Sequence, residues 1–533
     1  GNTDIYIAGS DVTAKAKQGT GIGSGTYSSG ETTIDISGGT VKATGGGNDY
    51  EGSAGIGAGR SSTGYTDITL RGGVTVEATG GGNSSAGGGG GAGIGSGQSA
   101  NGKTDILIKG AKEVTATGGS SAAGIGSGSD VGYGSASSTT ITICNSDDGT
   151  VVPIIKAMGG GVVDPYCSSS GAGIGSGGST YNKTIINIKG GEITATGGTS
   201  YTPGNSGSRR SGAGIGSGSS VSGETEINIS DGTIKSATGG EYGGAGIGSG
   251  SYGDSTDASK KGDVTINITG GTIEKATGGS AHVSGSALWY SGAGIGAGMN
   301  AGNTTIYIED KAHIVSAKSG DHGSAGIGGG YGSGTSNINI NGGRIDAASG
   351  SSTTNSGSVG GAGIGGGINS GKSIIKILKG IIGTVTGGSS SAGIGSGQKS
   401  AAEVYISGGT IDEVFGGKFG AGIGAGYNGS ATVNISGGTI TKVSGGEYGA
   451  GIGSGHGSGK VDVVIDGGTI KATGGSDAAG IGSGHNSRSS VTIKSGTITA
   501  AGSADSTSGS SGIGGNYTDV TISGGNITAT GYD

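Results

Sequence analysis

Asp67 and Asp105 occupy the same position in two successive copies of a repeat, and Asp4 occupies it two copies before Asp67. Carboxylates stacked in a column can chelate calcium or serve as the acid and base of a polysaccharide lyase. Thr33 interrupts the column and no Arg or Lys cluster accompanies it along the chain, so these positions read as solvated strand residues. No catalytic residue, metal ligand or cofactor is assigned, and calcium has no further support. His282, His313, His322, His456 and His485 are too dispersed for a metal centre, although His456 and His485 share a position one copy apart. Cys144 and Cys167 both fall in the longest insertion, where an oxidising compartment would join them as a disulfide and a reducing one would leave two thiols. The Gly-x-Gly patterns are not phosphate loops, because no helical pattern follows them.

Aromatic residues are 4% of the chain, yet they gather beside one recurring Gly-rich phrase. Tyr242, Trp289, Tyr290, Phe419 and Tyr448 precede it, and Tyr27, Tyr427 and Tyr517 are among those that follow it. Exposed rings with polar tips suit stacking on sugars, so the first five are candidate binding residues; the competing expectation is that each ring shields its own corner.

The phrase that positions them is Ala-Gly-Ile-Gly-Ser-Gly or a close variant. It recurs fifteen times, centred on Ile22 through Ile513, at a spacing of 29 residues from Ile394 to Ile481 and up to 49 elsewhere. A fixed minimum period with variable insertions marks stacked coils whose insertions leave as loops. With 140 glycines, 3 prolines and no Gly-X-Y period, collagen is excluded. Leucine is nearly absent while Ile, Val and Thr abound, which suits strands. Residues 430 to 455 read as one coil: an alternating strand around Val433 and Ile435, a Gly437-Gly438 turn, a strand around Ile440, a corner at 444–449, and the Gly-rich phrase as a third strand. Alternation places Ala450, Ile452 and Ser454 inside and Gly451, Gly453 and Gly455 outside. With Gly424 and Gly482, these glycines are expected to form a bare, flat contact face. Copies with one extra residue in the second strand, such as 234–238, are expected to carry a bulge.

The alternation of Ile-Ser-Gly-Gly-Thr-Ile with Gly-Ala-Gly-Ile-Gly-Ser-Gly resembles the Gly-rich right-handed parallel β-helix repeats of large surface proteins of anaerobic bacteria. It is also similar to repeats of carbohydrate-binding β-helices and adhesin stalks. The resemblance covers nearly the whole chain and implies an all-β solenoid of about fifteen coils with three short strands each. The expected domain is a single solenoid over residues 1–533, a segment of a longer array, since the chain starts without Met and neither end carries a recognisable cap. The formal charge of −7 and scattered Lys and Arg leave no footprint for nucleic acid, and no apolar run is long enough to span a membrane. The implied task is non-enzymatic: an extracellular or cell-surface stalk, adhesin or fibre subunit acting through the glycine face and edge aromatics. The alternative is a module binding an extended polysaccharide, and a polysaccharide lyase stands third. Expected partners are a second copy or an extracellular polysaccharide.

Overall fold

The computed structural model describes residues 1–48, 51–82, 89–132, 137–162, 169–202, 205–252, 261–282, 289–351, 360–504 and 509–532, with the side chains of 201–208 and 280–290 also outside the description. Among the described residues there is no helix. The chain divides into two compact units, Gly1–Leu288 with Ala297–Asn303, and Trp289–Gly296 with Thr304–Asp533.

Each unit is built the same way. In the coil at 430–453, the first strand is Ser430–Ile435, the second is Thr439–Ser444, and the third is only Ile452–Gly453. Ala431, Val433, Ile435, Ile440, Val443 and Ile452 are buried, as the β-branched alternation requires. Every strand pairs in parallel with its equivalent in the next coil. Ser430–Ile435 lies in register on Ala401–Ile406, and Ile452 lies between Ile423 and Ile481. The first unit carries seven Ile-Gly bridges, from Ile22 to Ile247, and the second carries eight, from Ile295 to Ile513. The chain is a right-handed parallel β-helix. One coil buries too few apolar groups to offset the ordering of its own backbone, so stability comes from like stacking on like.

The extra residue in some second strands is absorbed as expected. The register slips between Ile193 and Thr194 where the first unit enters the longer strands, and between Ile440 and Val443 where the second leaves them. The Gly-Gly corner is softer than a turn in several coils: Lys183–Thr196 and Val461–Thr473 run through it as single bent strands. One long insertion in the first unit forms an antiparallel hairpin, Thr199–Thr202 with Asn205–Ser211.

The Gly-rich phrase departs from the expected third strand. Ala450 N–H donates to Ser454 O at 3.0 Å, so five residues close on themselves as an arch. The same bond joins Ala92 to Ser96, Ala172 to Ser176, Ala392 to Ser396 and Ala479 to Ser483. An arch has no outer face of alternate residues. Gly424, Gly451, Gly453, Gly455 and Gly482 are all buried, which corrects the expectation of a bare contact face. Each is glycine because backbone comes too close. A Cβ on Gly451 would sit 2.5 Å from Gly480 O, and one on Gly455 would sit 2.5 Å from Phe419 O. Gly453 has φ +137°, and its equivalents from Gly23 to Gly482 span +130° to +143°, a region that L side chains rarely adopt. Its Cβ would also lie 2.0 Å from Gly482 O. The arch serine joins coils: Ser454 Oγ accepts from Gly484 N–H at 2.8 Å, and Ser176 Oγ from Gly218 N–H at 3.0 Å.

Gly453→Ala should therefore cost more than about 3 kcal/mol, through backbone strain and a collision with the next coil. Ser454→Ala should cost about 1–3 kcal/mol by leaving one buried amide without its acceptor. Urea unfolding followed by circular dichroism measures both, and equal midpoints for the two variants would contradict the arch.

Candidate binding edge

The arch sets the geometry of the aromatic edge. The turn that follows one arch packs on the corner that precedes the arch one coil back: His456 N–H donates to Phe419 O at 2.8 Å, and His485 N–H to Tyr448 O at 3.0 Å. Rings at these positions are forced together at coil spacing. Phe419 and Tyr448 stack with centroids 5.3 Å apart, Tyr427 stacks on His456 at 5.4 Å, and His456 on His485 at 5.1 Å. The two columns meet edge to face, Phe419 against His456 at 5.7 Å and Tyr448 against His485 at 5.6 Å. Lys418 lies 5.5 Å from the Phe419 ring and 5.6 Å from the Tyr448 ring, and its Nζ is 3.2 Å from Glu447. All five rings are half-buried.

The electrostatics follow from this packing. Burial, and then the neighbouring His485, hold the His456 imidazole below its usual pKa. The Nδ1 atoms of His456 and His485 are buried without a hydrogen-bond partner. Hydrogen bonds from Tyr448 and Lys418 hold the Glu447 carboxyl below its usual range, and Glu447 in turn raises the Tyr448 phenol.

Rings elsewhere are also covered by cations. Arg209 lies 5.1 Å over Tyr242 and bonds its hydroxyl at 3.2 Å; Arg60 lies over Tyr27, Lys442 over Phe415 and Arg488 over Tyr517. Of the five candidate aromatics, Phe419 and Tyr448 are thus brought together and Tyr242 stands apart in the first unit. The side chains of Trp289 and Tyr290 lie outside the described residues. Tyr427, His456, Lys418 and Glu447 complete the cluster, and the sequence signal for it was the 29-residue interval separating Phe419 from Tyr448 and Tyr427 from His456.

The acidic column holds in register: Asp4 on Thr33, Thr33 on Asp67, and Asp67 on Asp105. It carries a cation that the sequence did not reveal. Lys103 Nζ lies 2.8 Å from Asp105 Oδ2, and Tyr65 OH donates to the same oxygen at 2.8 Å. Burial works to raise Asp105, but these hydrogen bonds outweigh it and keep its carboxyl below the usual range, while burial and then Asp105 raise Asp67. The Asp105 oxygen facing Lys103 and Tyr65 is thus engaged in joining coils. Among the described residues no group of three or more His, Cys, Asp or Glu is placed to hold a metal ion. Cys144 is half-buried, in register with Lys109 and Lys189, and burial pushes its thiol up. Its candidate disulfide partner Cys167 lies outside the described residues. No helix among them is long and apolar enough to cross a membrane.

Ten stretches of the chain match the family model of a β-helix repeat: residues 34–60, 106–129, 186–219, 227–251, 266–299, 404–427, 433–456, 463–485, 491–517 and 520–531. These stretches are similar to β-helix repeats. No curated protein and no solved structure gives a match to the chain. Nine of the ten matched stretches run from a first strand through the Gly-rich phrase, as in 433–456, and 520–531 covers only two strands, so the phrase is part of the repeat and not an ornament on it.

Because the folded state disfavours the charged His456, it binds fewer protons than the unfolded chain just below the ordinary histidine pKa of about 6.5. The stability of the second unit is then full above that pH and falls as the solution is acidified below it. His456→Tyr, which installs the residue of the preceding coil, should flatten the dependence of the thermal midpoint between pH 7 and 5. An unchanged slope would contradict the assignment.

Proposed function

We propose that the chain is a non-catalytic structural or adhesive array of the extracellular space or cell surface, a stalk or fibre segment whose work is to be a stiff repeat. The observation that carries this reading is where its chemical side chains go. Outward charges pair from coil to coil, Lys42 with Glu77 at 2.9 Å and Lys235 with Glu274 at 2.7 Å. Asn267 donates to Asn228 at 2.7 Å, and Asn228 to Asn187 at 3.0 Å. Phe419 stacks on Tyr448 and Tyr427 on His456, and Tyr27, Tyr242 and Phe415 lie under cations. Exposed ion pairs are individually worth little, about 0–1 kcal/mol, but a column of them fixes the register of parallel strands that a one-residue slip would turn inside out.

A polysaccharide-binding module would need open ring faces at the edge. Phe419, Tyr427, Tyr448 and His456 instead turn their faces to one another. The structural reading therefore expects Phe419→Ala and Tyr448→Ala each to lower the stability of the second unit by about 1–3 kcal/mol. Retention on insoluble polysaccharides should not change. Lost retention with an unaltered thermal midpoint would favour the binding module at this edge. Self-association, the fibre form of the proposal, is tested by light scattering as a function of concentration.

A further inference from the structure

In most coils the fifth residue of the arch is a serine whose hydroxyl accepts an amide of the next coil. Ser249 Oγ accepts from Gly298 N–H at 2.8 Å, and Ser396 Oγ from Gly426 N–H at 3.0 Å. In two coils inside the second unit the same place is held by Gly329 and Gly366. Neither has a positive φ, so the backbone does not call for glycine there. Their arches do not close up either. Ala325 N–H donates to Gly329 O and Ala362 N–H to Gly366 O, both at 2.9 Å, and Gly366 N–H donates to Gly395 O at 3.0 Å. Polar atoms gather where the serine side chain would stand. The point a Cβ on Gly366 would occupy is 3.1 Å from Gly397 N, 3.1 Å from Ser370 Oγ and 3.2 Å from Ser373 Oγ. The same point on Gly329 is 2.9 Å from Gly367 N, 3.3 Å from Ser333 Oγ and 3.4 Å from Ser336 Oγ. Gly367 and Gly397 carry the amides that an arch serine would bond. Ser336 and Ser373 are 1% and 0% exposed, and their hydroxyls have no hydrogen-bond partner within the protein. Buried donors are rarely left unpaired, and at each arch an amide and a hydroxyl converge on one small space.

We propose that each of these two arches binds one ordered water, held where the serine hydroxyl lies in other coils. A serine CH2OH group and a water are close in size, and three polar partners are what a buried water commonly has. The hydrogen bonds balance. At Gly366 the water accepts from Gly397 N–H and from the Ser373 hydroxyl, and donates to Ser370 Oγ, whose own proton goes to Gly367 O at 3.0 Å. At Gly329 it accepts from Gly367 N–H and the Ser336 hydroxyl, and donates to Ser333 Oγ. The amide donor excludes a metal cation, and no charged side chain among these partners calls for an anion. Each water bridges two coils, as the arch serine does elsewhere. The scaffold role of the coils does not depend on either one.

A crystal structure of the full chain, at a resolution that shows ordered waters, reads both sites directly. Thermal unfolding of two variants checks one of them in solution. The expected density is one water within hydrogen-bond distance of Gly397 N and Ser373 Oγ, and one within that distance of Gly367 N and Ser336 Oγ. Gly366→Ser should put its hydroxyl in the place of the water and unfold at a midpoint no lower than that of the parent chain. Gly366→Ala puts a methyl group in the same space, expels the water and leaves both donors unpaired, so its midpoint should fall by about 2 °C or more. Absence of density at an arch would overturn the proposal for that arch. A Gly366→Ala midpoint at or above that of the parent would overturn it too, because the methyl group would have displaced nothing. So would a Gly366→Ser midpoint as low as that of Gly366→Ala, because the space would then be too small for a hydroxyl.

Discussion

One close approach governs this molecule: the carbonyl of each arch glycine points at the Cα of its equivalent in the coil before. Gly482 O would lie 2.0 Å from a Cβ on Gly453, and Gly453 O the same distance from a Cβ on Gly424. Only glycine permits that distance, and only glycine holds φ near +137° without strain. The rest follows. The arch brings Ile452 inward as the side chain of its short wall, sets Ser454 where it accepts the next coil's amide, and directs the flanking corner and turn toward each other. The aromatic edge is a consequence of that last step. A corner residue and a turn residue must touch, so rings placed there at coil intervals stack.

This arrangement gives surface-like residues an internal task. Lys418 bridges Phe419, Tyr448 and Glu447 across neighbouring coils, and Lys103 does the same for Tyr65 and Asp105. Each such contact is weak when exposed to water. Their number and their register make them useful to an array in which every coil depends on its neighbours.

Much of the fold was legible in the residues. The 29-residue interval gave the coil, and the alternation at Val433 and Ile435 gave the inward face of the first strand. The extra residue at 234–238 marked the bulge, which the structure places between Ile193 and Thr194 of the coil before. The arch was not legible, because Ala450-Gly451-Ile452-Gly453-Ser454 has the same alternation as a strand. Period-2 reasoning cannot tell a glycine that faces solvent from one that touches backbone or one with positive φ. The edge was half legible: Phe419, Tyr448, His456 and His485 were visible at matching intervals, but their mutual stacking depends on the arch. Lys103 escaped notice for a related reason. It lies two residues before Asp105, on the same side of the extended chain, and its contact with the Tyr65 ring of the coil before depends on the stacking of coils.

The most direct test of the arch is native-state hydrogen exchange at 450–454. Ala450 N–H is bonded within its own arch to Ser454 O, while the Gly451, Ile452 and Ser454 amides are bonded to Ala479, Gly480 and Gly482 of the next coil. All four amides should exchange as slowly as those of Val433 and Ile435 in the first wall, because three are bonded to the next coil and the fourth is buried in the arch that those bonds hold closed. Exchange of Ala450 at near the unprotected rate, beside slow exchange at Val433 and Ile435, would show an open glycine wall and contradict the account.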